Sequence, residues 1–163
     1  MPPLTLRPAT PEDTAFLLAV YTSTRAEEMA ITGWSDDQKA AFCAQQFQAQ
    51  TSHYRQHYPT AQCFVILSGE MPAGRLYVDH GAKEIRIVDI SLLPEFRGQG
   101  IGTHFLGELQ KEAQTASKIL AIHVEAFNPA KRLYERLGFV LAEDKGVYHF
   151  MTWTPETVLS ANA

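Results

Sequence analysis

Hydrophobic residues recur along this chain with two periods, and the switches between them mark its elements. Leu4 and Leu6 alternate with Thr5 and Arg7, the pattern of a short strand. Thr10-Pro11-Glu12-Asp13 reads as a helix start, with Thr10 as cap, Pro11 at the first helical position and Asp13 at the positive end. Phe16, Leu17, Val20 and Tyr21 continue at helical spacing, and this helix is expected to fade near Thr32-Gly33. Ser35-Asp36-Asp37-Gln38 has the capping-box pattern of a second helix. Ala40, Cys43, Phe47, Tyr54 and Tyr58 give it one apolar face, and Pro59 ends it.

Strand-like runs follow at residues 63–67, 73–78 and 85–93, separated by turns around Gly69 and Gly81. Ile85-Arg86-Ile87-Val88-Asp89-Ile90 is mostly apolar on both faces, as in a central strand covered on both sides. A Gly-rich loop at 94–102 leads into a helix carrying Ile101, Phe105, Leu106 and Leu109. A strand is expected at 119–124. Asn128-Pro129 starts another helix, with Leu133, Tyr134 and Leu137 on one face and Gly138 as its end signal. Two final strands, near 139–142 and 147–153, flank a polar turn. The order β-α-α-β-β-β-α-β-α-β-β is mixed α/β, with antiparallel hairpins early and late and a parallel crossover around the Gly-rich loop.

Composition narrows this little further. With 163 residues, 45% hydrophobic and 20% charged, the chain is one domain, residues 1–163, that needs neither disulfide nor metal to fold. A net charge of −4 and no block of Lys or Arg argue against nucleic acid. No apolar run approaches a membrane span, and Met-Pro-Pro-Leu-Thr-Leu-Arg lacks the apolar core of a signal peptide, so a cytoplasmic location is expected. Cys43 and Cys63 sit in no C-x-x-C pair and read as reduced and buried.

The most informative segment is Arg97-Gly98-Gln99-Gly100-Ile101-Gly102, between a strand and a helix. Glycines there let backbone N–H groups approach an anion, and the helix N-terminus adds partial positive charge. Arg97 adds a forked donor. A P-loop would need a Lys, and a dinucleotide fingerprint would need Gly where Thr103 stands. A diphosphate cradle and a plain strand–helix turn both fit the loop taken alone.

Arg97-x-x-Gly100-x-Gly102 resembles the Arg/Gln-x-x-Gly-x-Gly/Ala signature of the GNAT superfamily of N-acetyltransferases. Asn128-Pro-Ala130-x-x-x-Tyr134-x-x-x-Gly138-Phe139 resembles that superfamily's second signature. The resemblance runs from about residue 85 to 139 and is weak over 10–60, where acceptor specificity usually lies. It implies a single GNAT-like domain with a central mixed, largely antiparallel sheet, splayed between two parallel central strands and flanked by about four helices. It implies transfer of an acetyl group from acetyl-CoA, a cosubstrate, to a primary amine within a ternary complex, with no metal. Arg97, Gly98, Gln99, Gly100, Ile101, Gly102 and Thr103 would hold the cofactor's diphosphate. Leu92 and Leu93 would offer a backbone N–H to the oxyanion. Asn128 would touch the pantetheine arm, and Tyr134 would protonate the departing thiolate. Asn128 also reads as an ordinary helix cap, and Tyr134 as a core tyrosine.

The attacking amine must first lose a proton. Asp89 is a costly carboxylate within an apolar strand, and serves as general base or as partner of Arg75, Arg86 or His123. Glu125 competes for the role of base and shares a strand face with His123. Glu84, near a turn, reads as a solvated charge. His53 and His57, four apart, read as a surface pair, and neither Ser91 nor either cysteine has the setting of a nucleophile.

Glu28 and Trp34, in the variable helices beside Glu27, Met29 and Tyr58, suit a cationic amine acceptor, either a small molecule or a peptide. They read equally as a solvated carboxylate and a core aromatic. The chain is expected to act as a monomer or homodimer, without nucleic acid or membrane. The alternative is a non-catalytic acyl-CoA-binding or sensor domain on the same fold. A nucleotide-phosphate enzyme is disfavoured by the missing Lys.

Overall fold

Residues 2–161 are described by the computed structural model, as seven strands and six α-helices. They fall into two compact units, Met1–Tyr77 with Ile90–Gln99, and Val78–Asp89 with Gly100–Ala163.

In the first unit, β1 (Leu4–Pro8) lies antiparallel to a later strand, and a single 3-10 turn leads into α1 (Thr14–Thr24). Asp13 closes that turn. Its carboxylate accepts from Arg7 Nη1 and Nη2, at 3.0 and 2.9 Å, and from the Thr10 N–H at 2.8 Å. The Arg7 hydrogen bond, more than any other contact, holds the Asp13 pKa down at about 2. The helix expected to reach Thr32 breaks at Arg25, and α2 (Ala26–Ala30) is a separate short helix. The reason is local. Ser23 Oγ donates to Val20 O and Thr24 Oγ1 to Tyr21 O, each at 2.6 Å, competing with the helical N–H groups for those carbonyls.

Ser35 opens α3 (Asp36–His57) with a complete capping box, 3.2 Å from the Gln38 N–H to its Oγ and 2.9 Å in return. Helix α3 packs Cys43 and Phe47 against Tyr21 and Met29, with Leu17, Leu18 and Phe42 around them. Ala40 faces outward. Strands β2 (Gln62–Ser68) and β3 (Met71–His80) follow, and β2 pairs with β1 from Leu4↔Ser68 to Pro8↔Phe64. Cys43 is buried as expected, whereas Cys63 is only half-buried, and both are thiols. Strand β4 (Glu84–Leu92) begins in the second unit and ends in the first.

The second unit continues with α4 (Ile101–Ala116), β5 (Ile119–Glu125), α5 (Lys131–Arg136), β6 (Val140–Asp144) and β7 (Tyr148–Trp153). Ile101, Phe105, Leu106, Leu109 and Ala113 form the buried stripe of α4. Pro155 leads into α6 (Glu156–Ala161), a helix absent from the expected order. Thr157 Oγ1 ties it to Gln114 O at 3.1 Å.

The seven strands are hydrogen-bonded in the order β1-β2-β3-β4-β5-β7-β6. Strand β5 pairs antiparallel with β7 and parallel with β4. The parallel ladder runs from Glu84↔Ile119 to Ile87↔Ile122 and ends there, although β4 continues to Leu92 and β5 to Glu125. This is the mixed sheet, splayed beside its parallel pair, that the sequence implies. Among the described residues no helix is long and apolar enough to cross a membrane.

Candidate functional site

The end of β4 is shaped by a glycine on its neighbour. Built at Gly74, a Cβ would lie 2.1 Å from the Ser91 carbonyl oxygen and 3.0 Å from Leu92 Cα, so only glycine admits this approach. The Ser91 C=O therefore points at Gly74. Across a trans peptide, the Leu92 N–H points the opposite way, away from Gly74. The next amide is already engaged, because Leu93 N–H donates to Ala73 O at 2.9 Å. Of the two amides expected as oxyanion donors, Leu93 is thus committed to β3, and Leu92 is the one turned outward.

After Leu93 a 3-10 turn, Pro94–Phe96, leads into the Gly-rich loop. Gly98 and Gly100 have φ of 72° and 83°, the left-handed region that disfavours side chains. A Cβ on either would meet nothing within 4 Å, so their conformation is required by the path of the chain and the space beside them is open. Gly100 is the N-cap of α4, which has no side-chain cap. The first amides of this 16-residue helix are the groups left for an anion. Gly102 is less constrained, since a Cβ there would make ordinary contact with Leu133 Cδ2 at 3.6 Å. Thr103 is exposed on the first turn.

Arg97 and Gln99 are exposed on the loop. Arg97 Nε donates to Leu92 O at 2.9 Å and its Nη2 to Ser23 Oγ at 3.3 Å. Gln99 Nε2 donates to Glu95 O at 2.8 Å. Both side chains brace the loop.

In the second unit Tyr134 of α5 is 5% exposed, beside the Phe139 ring at 5.8 Å. Burial, and then the negative charge of Asp89, push its phenol well above the usual tyrosine range. Tyr134 therefore keeps its proton throughout the physiological range. Asp89 is half-buried on β4, two residues past the last rung of the parallel ladder. Arg86 and His123, two of its expected partners, meet each other, with Arg86 Nη1 3.3 Å from His123 Nδ1. Three positions on from Arg86, Asp89 projects to the other face of the strand. Glu84 is not simply solvated, because Arg86 Nε lies 2.8 Å from its Oε2. Glu125 is half-buried at the end of β5, opposite Tyr148 of β7.

Asn128 caps its turn, its Oδ1 accepting from the Ala130 N–H at 2.9 Å. Glu28 accepts from Arg25 Nη2 at 2.9 Å, so its charge is already paired. Trp34 is 40% exposed, its ring set edge-on to Phe42 at 5.2 Å. His53 and His57 are exposed, with ring centroids 4.0 Å apart. Among the described residues no group of three or more His, Cys, Asp or Glu side chains gathers as for a metal ion.

Residues 13–139 match the family model described as the acetyltransferase (GNAT) family. The fold is similar to that of the PaiA N-acetyltransferase from Thermoplasma acidophilum, solved in complex with coenzyme A. The two share 16% identity over 93% of this chain and 99% of that one, with a TM-score of 0.70. An acetyltransferase from Thermus thermophilus gives 0.66 at 20% identity, covering 93% and 96%. The spermidine N-acetyltransferase from Vibrio cholerae, solved with CoA and spermine, gives 0.64 at 17% identity, covering 96% and 98%. No curated protein sequence matches significantly.

Proposed function

This chain belongs to the GNAT family of acetyltransferases, and we propose that it moves an acetyl group from acetyl-CoA to a primary amine by direct attack. The observation that carries this is the loop. Gly98 and Gly100 stand at positive φ beside open space and run into a helix with no side-chain cap. That is the donor set a diphosphate needs, and it supplies charge complementarity that a net charge of −4 does not register.

When bound, acetyl-CoA supplies the activated acyl carbon and a thiolate leaving group. The amides of residues 98–103 hold its diphosphate. Arg97 serves the site by fixing Leu92 O rather than by offering its own charge. The outward Leu92 N–H stabilises the developing oxyanion, a role for which one donor is worth about 3–4 kcal/mol. Tyr134, protonated throughout the physiological range, gives its proton to the leaving sulfur. Glu125 or Asp89 takes the ammonium proton before attack, and the proton left on the acylated nitrogen passes to the Tyr134 phenolate as the amide forms. Asn128 uses one lone pair of Oδ1 for its own cap, which leaves its amide NH₂ and the second lone pair for the pantetheine arm. Of the acceptor groups, Trp34 offers an exposed ring, while Glu28 is held by Arg25. On the same reading the chain works in the cytoplasm.

Thermal shift with acetyl-CoA, followed by coenzyme A release across a panel of amines and peptides, tests this. A shift with acetyl-CoA and turnover of at least one amine are expected. A shift with ATP and none with acetyl-CoA would overturn it. Binding without release from any amine would make the chain a sensor instead.

A further inference from the structure

Two cations in the second unit converge on one imidazole. His123 of β5 packs its ring beside Phe150 of β7, centroids 4.8 Å apart. Arg86 Nη1, from β4, stands 3.3 Å from its Nδ1, and Lys145 Nζ, from the β6–β7 turn, 3.1 Å from its Nε2. The same two cations lie over the Phe150 ring, at 5.0 and 5.4 Å from its centroid.

A neutral imidazole has one lone pair and one N–H. It accepts from Arg86 or from Lys145, and turns its own N–H towards the other. Either tautomer leaves one donor facing a donor. Protonation makes both nitrogens donors against two cations, which is worse. The charged groups facing the ring are Arg86, Lys145, Glu84 and Glu143, with Glu125 two residues along its own strand. Glu84 is held at Arg86 Nε, 2.8 Å away, and Glu143 lies 3.8 Å from Lys145 Nζ, so neither carboxylate sits at the imidazole. Burial first, then Arg86 and Lys145, hold the His123 pKa below the usual histidine value.

One anionic acceptor among the three groups would resolve this conflict of donors. We infer that Arg86, His123 and Lys145 form an anion subsite that takes the carboxylate of the acceptor, so that the substrate is an amine carrying an acidic group. A carboxylate among them accepts from both cations and from a protonated His123 at once. Glu125 lies on the same face of β5, about 7 Å along the strand at two residues' rise. An amine at Glu125 and a carboxylate at His123 describe an amino acid or peptide amine rather than a polyamine. The assignment to the acceptor rests on the acetyl-transfer reading, whereas the anion subsite stands on its own geometry.

Histidine-ring NMR of the full chain, titrated in chloride and in acetate at constant ionic strength, tests the subsite. The His123 midpoint should rise in acetate by about half a pH unit or more. Lys145, whose side chain is 44% exposed, can be changed without emptying the core. Lys145→Ala should remove the rise and Lys145→Arg should keep it. The same midpoint in both salts overturns the inference. Coenzyme A release is then compared for amine pairs that differ by one carboxylate. The acidic member should show a kcat/KM about tenfold higher, a preference that Lys145→Ala removes mainly through KM. Equal kcat/KM overturns the acceptor assignment. An acetate shift with no release from any amine overturns acetyl transfer and leaves the subsite standing.

Discussion

The carbonyl oxygen of Ser91 lies where a side chain on Gly74 would begin, 2.1 Å from the ideal Cβ position. Gly74→Ala must therefore push β4 off β3. The expected cost is about 1–3 kcal/mol, read from urea denaturation. Because the displaced peptide carries the Leu92 N–H, kcat should fall further than stability alone explains at temperatures where the variant is folded. A Gly74→Ala variant with unchanged kcat would remove Leu92 from the reaction.

Arg97 is expected to behave as a brace. Arg97→Lys keeps the charge but loses the fork that reaches Leu92 O and Ser23 Oγ together. Turnover should drop about tenfold while the KM for acetyl-CoA changes less than about threefold. The reverse split would restore Arg97 as a direct phosphate ligand.

For Tyr134→Phe we expect kcat to fall about 100-fold with acetyl-CoA affinity nearly constant, since only the hydroxyl is lost. The pH profile of the wild-type chain should show no loss of activity near the ordinary tyrosine pKa, because burial and Asp89 hold the phenol above it. A basic limb there that vanishes in the Phe variant would contradict this.

Gly100→Ala forces a Cβ into a φ of 83°. The strain should cost about 1–2 kcal/mol in thermal or urea unfolding. Gly100→Glu adds a carboxylate beside the first amides of α4 and should abolish the thermal shift by acetyl-CoA. A full shift in the Glu variant would move the diphosphate elsewhere.

Asp13 links stability to acid. Its folded pKa, about 2, is below the unfolded carboxylate value near 4, so its contribution is present above about pH 4 and is lost as pH falls through 2. Asp13→Asn should flatten the acid side of the stability curve between about pH 4 and 2 and leave its shape above about pH 5 unchanged. Equal acid slopes for the two proteins would show that the Arg7 pairing does not couple to folding.

Local signals carry most of the fold. The Ser35–Gln38 box forms as its sequence predicts, because both hydrogen bonds lie within four residues. Gly98 and Gly100 are legible for the same reason, each requirement belonging to its own backbone. The break at Arg25 escapes the hydrophobic period, though its signal is local: Ser23 and Thr24 are residues whose hydroxyls bond back to helix carbonyls. The start of α6 repeats the Thr-Pro-Glu of residues 10–12 at 154–156. Other features depend on partners remote in sequence. Ser23 is 74 positions from Arg97, and His123 is 37 from Arg86. Whether Leu92 or Leu93 turns its amide outward depends on Ala73 and Gly74, which spacing along β4 cannot express.

The braces inside the glycine loop bear on how tightly it can bind. Two glycines at positive φ are the most mobile residues a chain can offer, and fixing them at the moment of association weakens a complex. Arg97 on Leu92 and Gln99 on Glu95 hold the segment before any ligand arrives. The ordering entropy is then charged to folding rather than to binding. Loosening the Gln99 brace should weaken capture of the cofactor even where every contact to it survives.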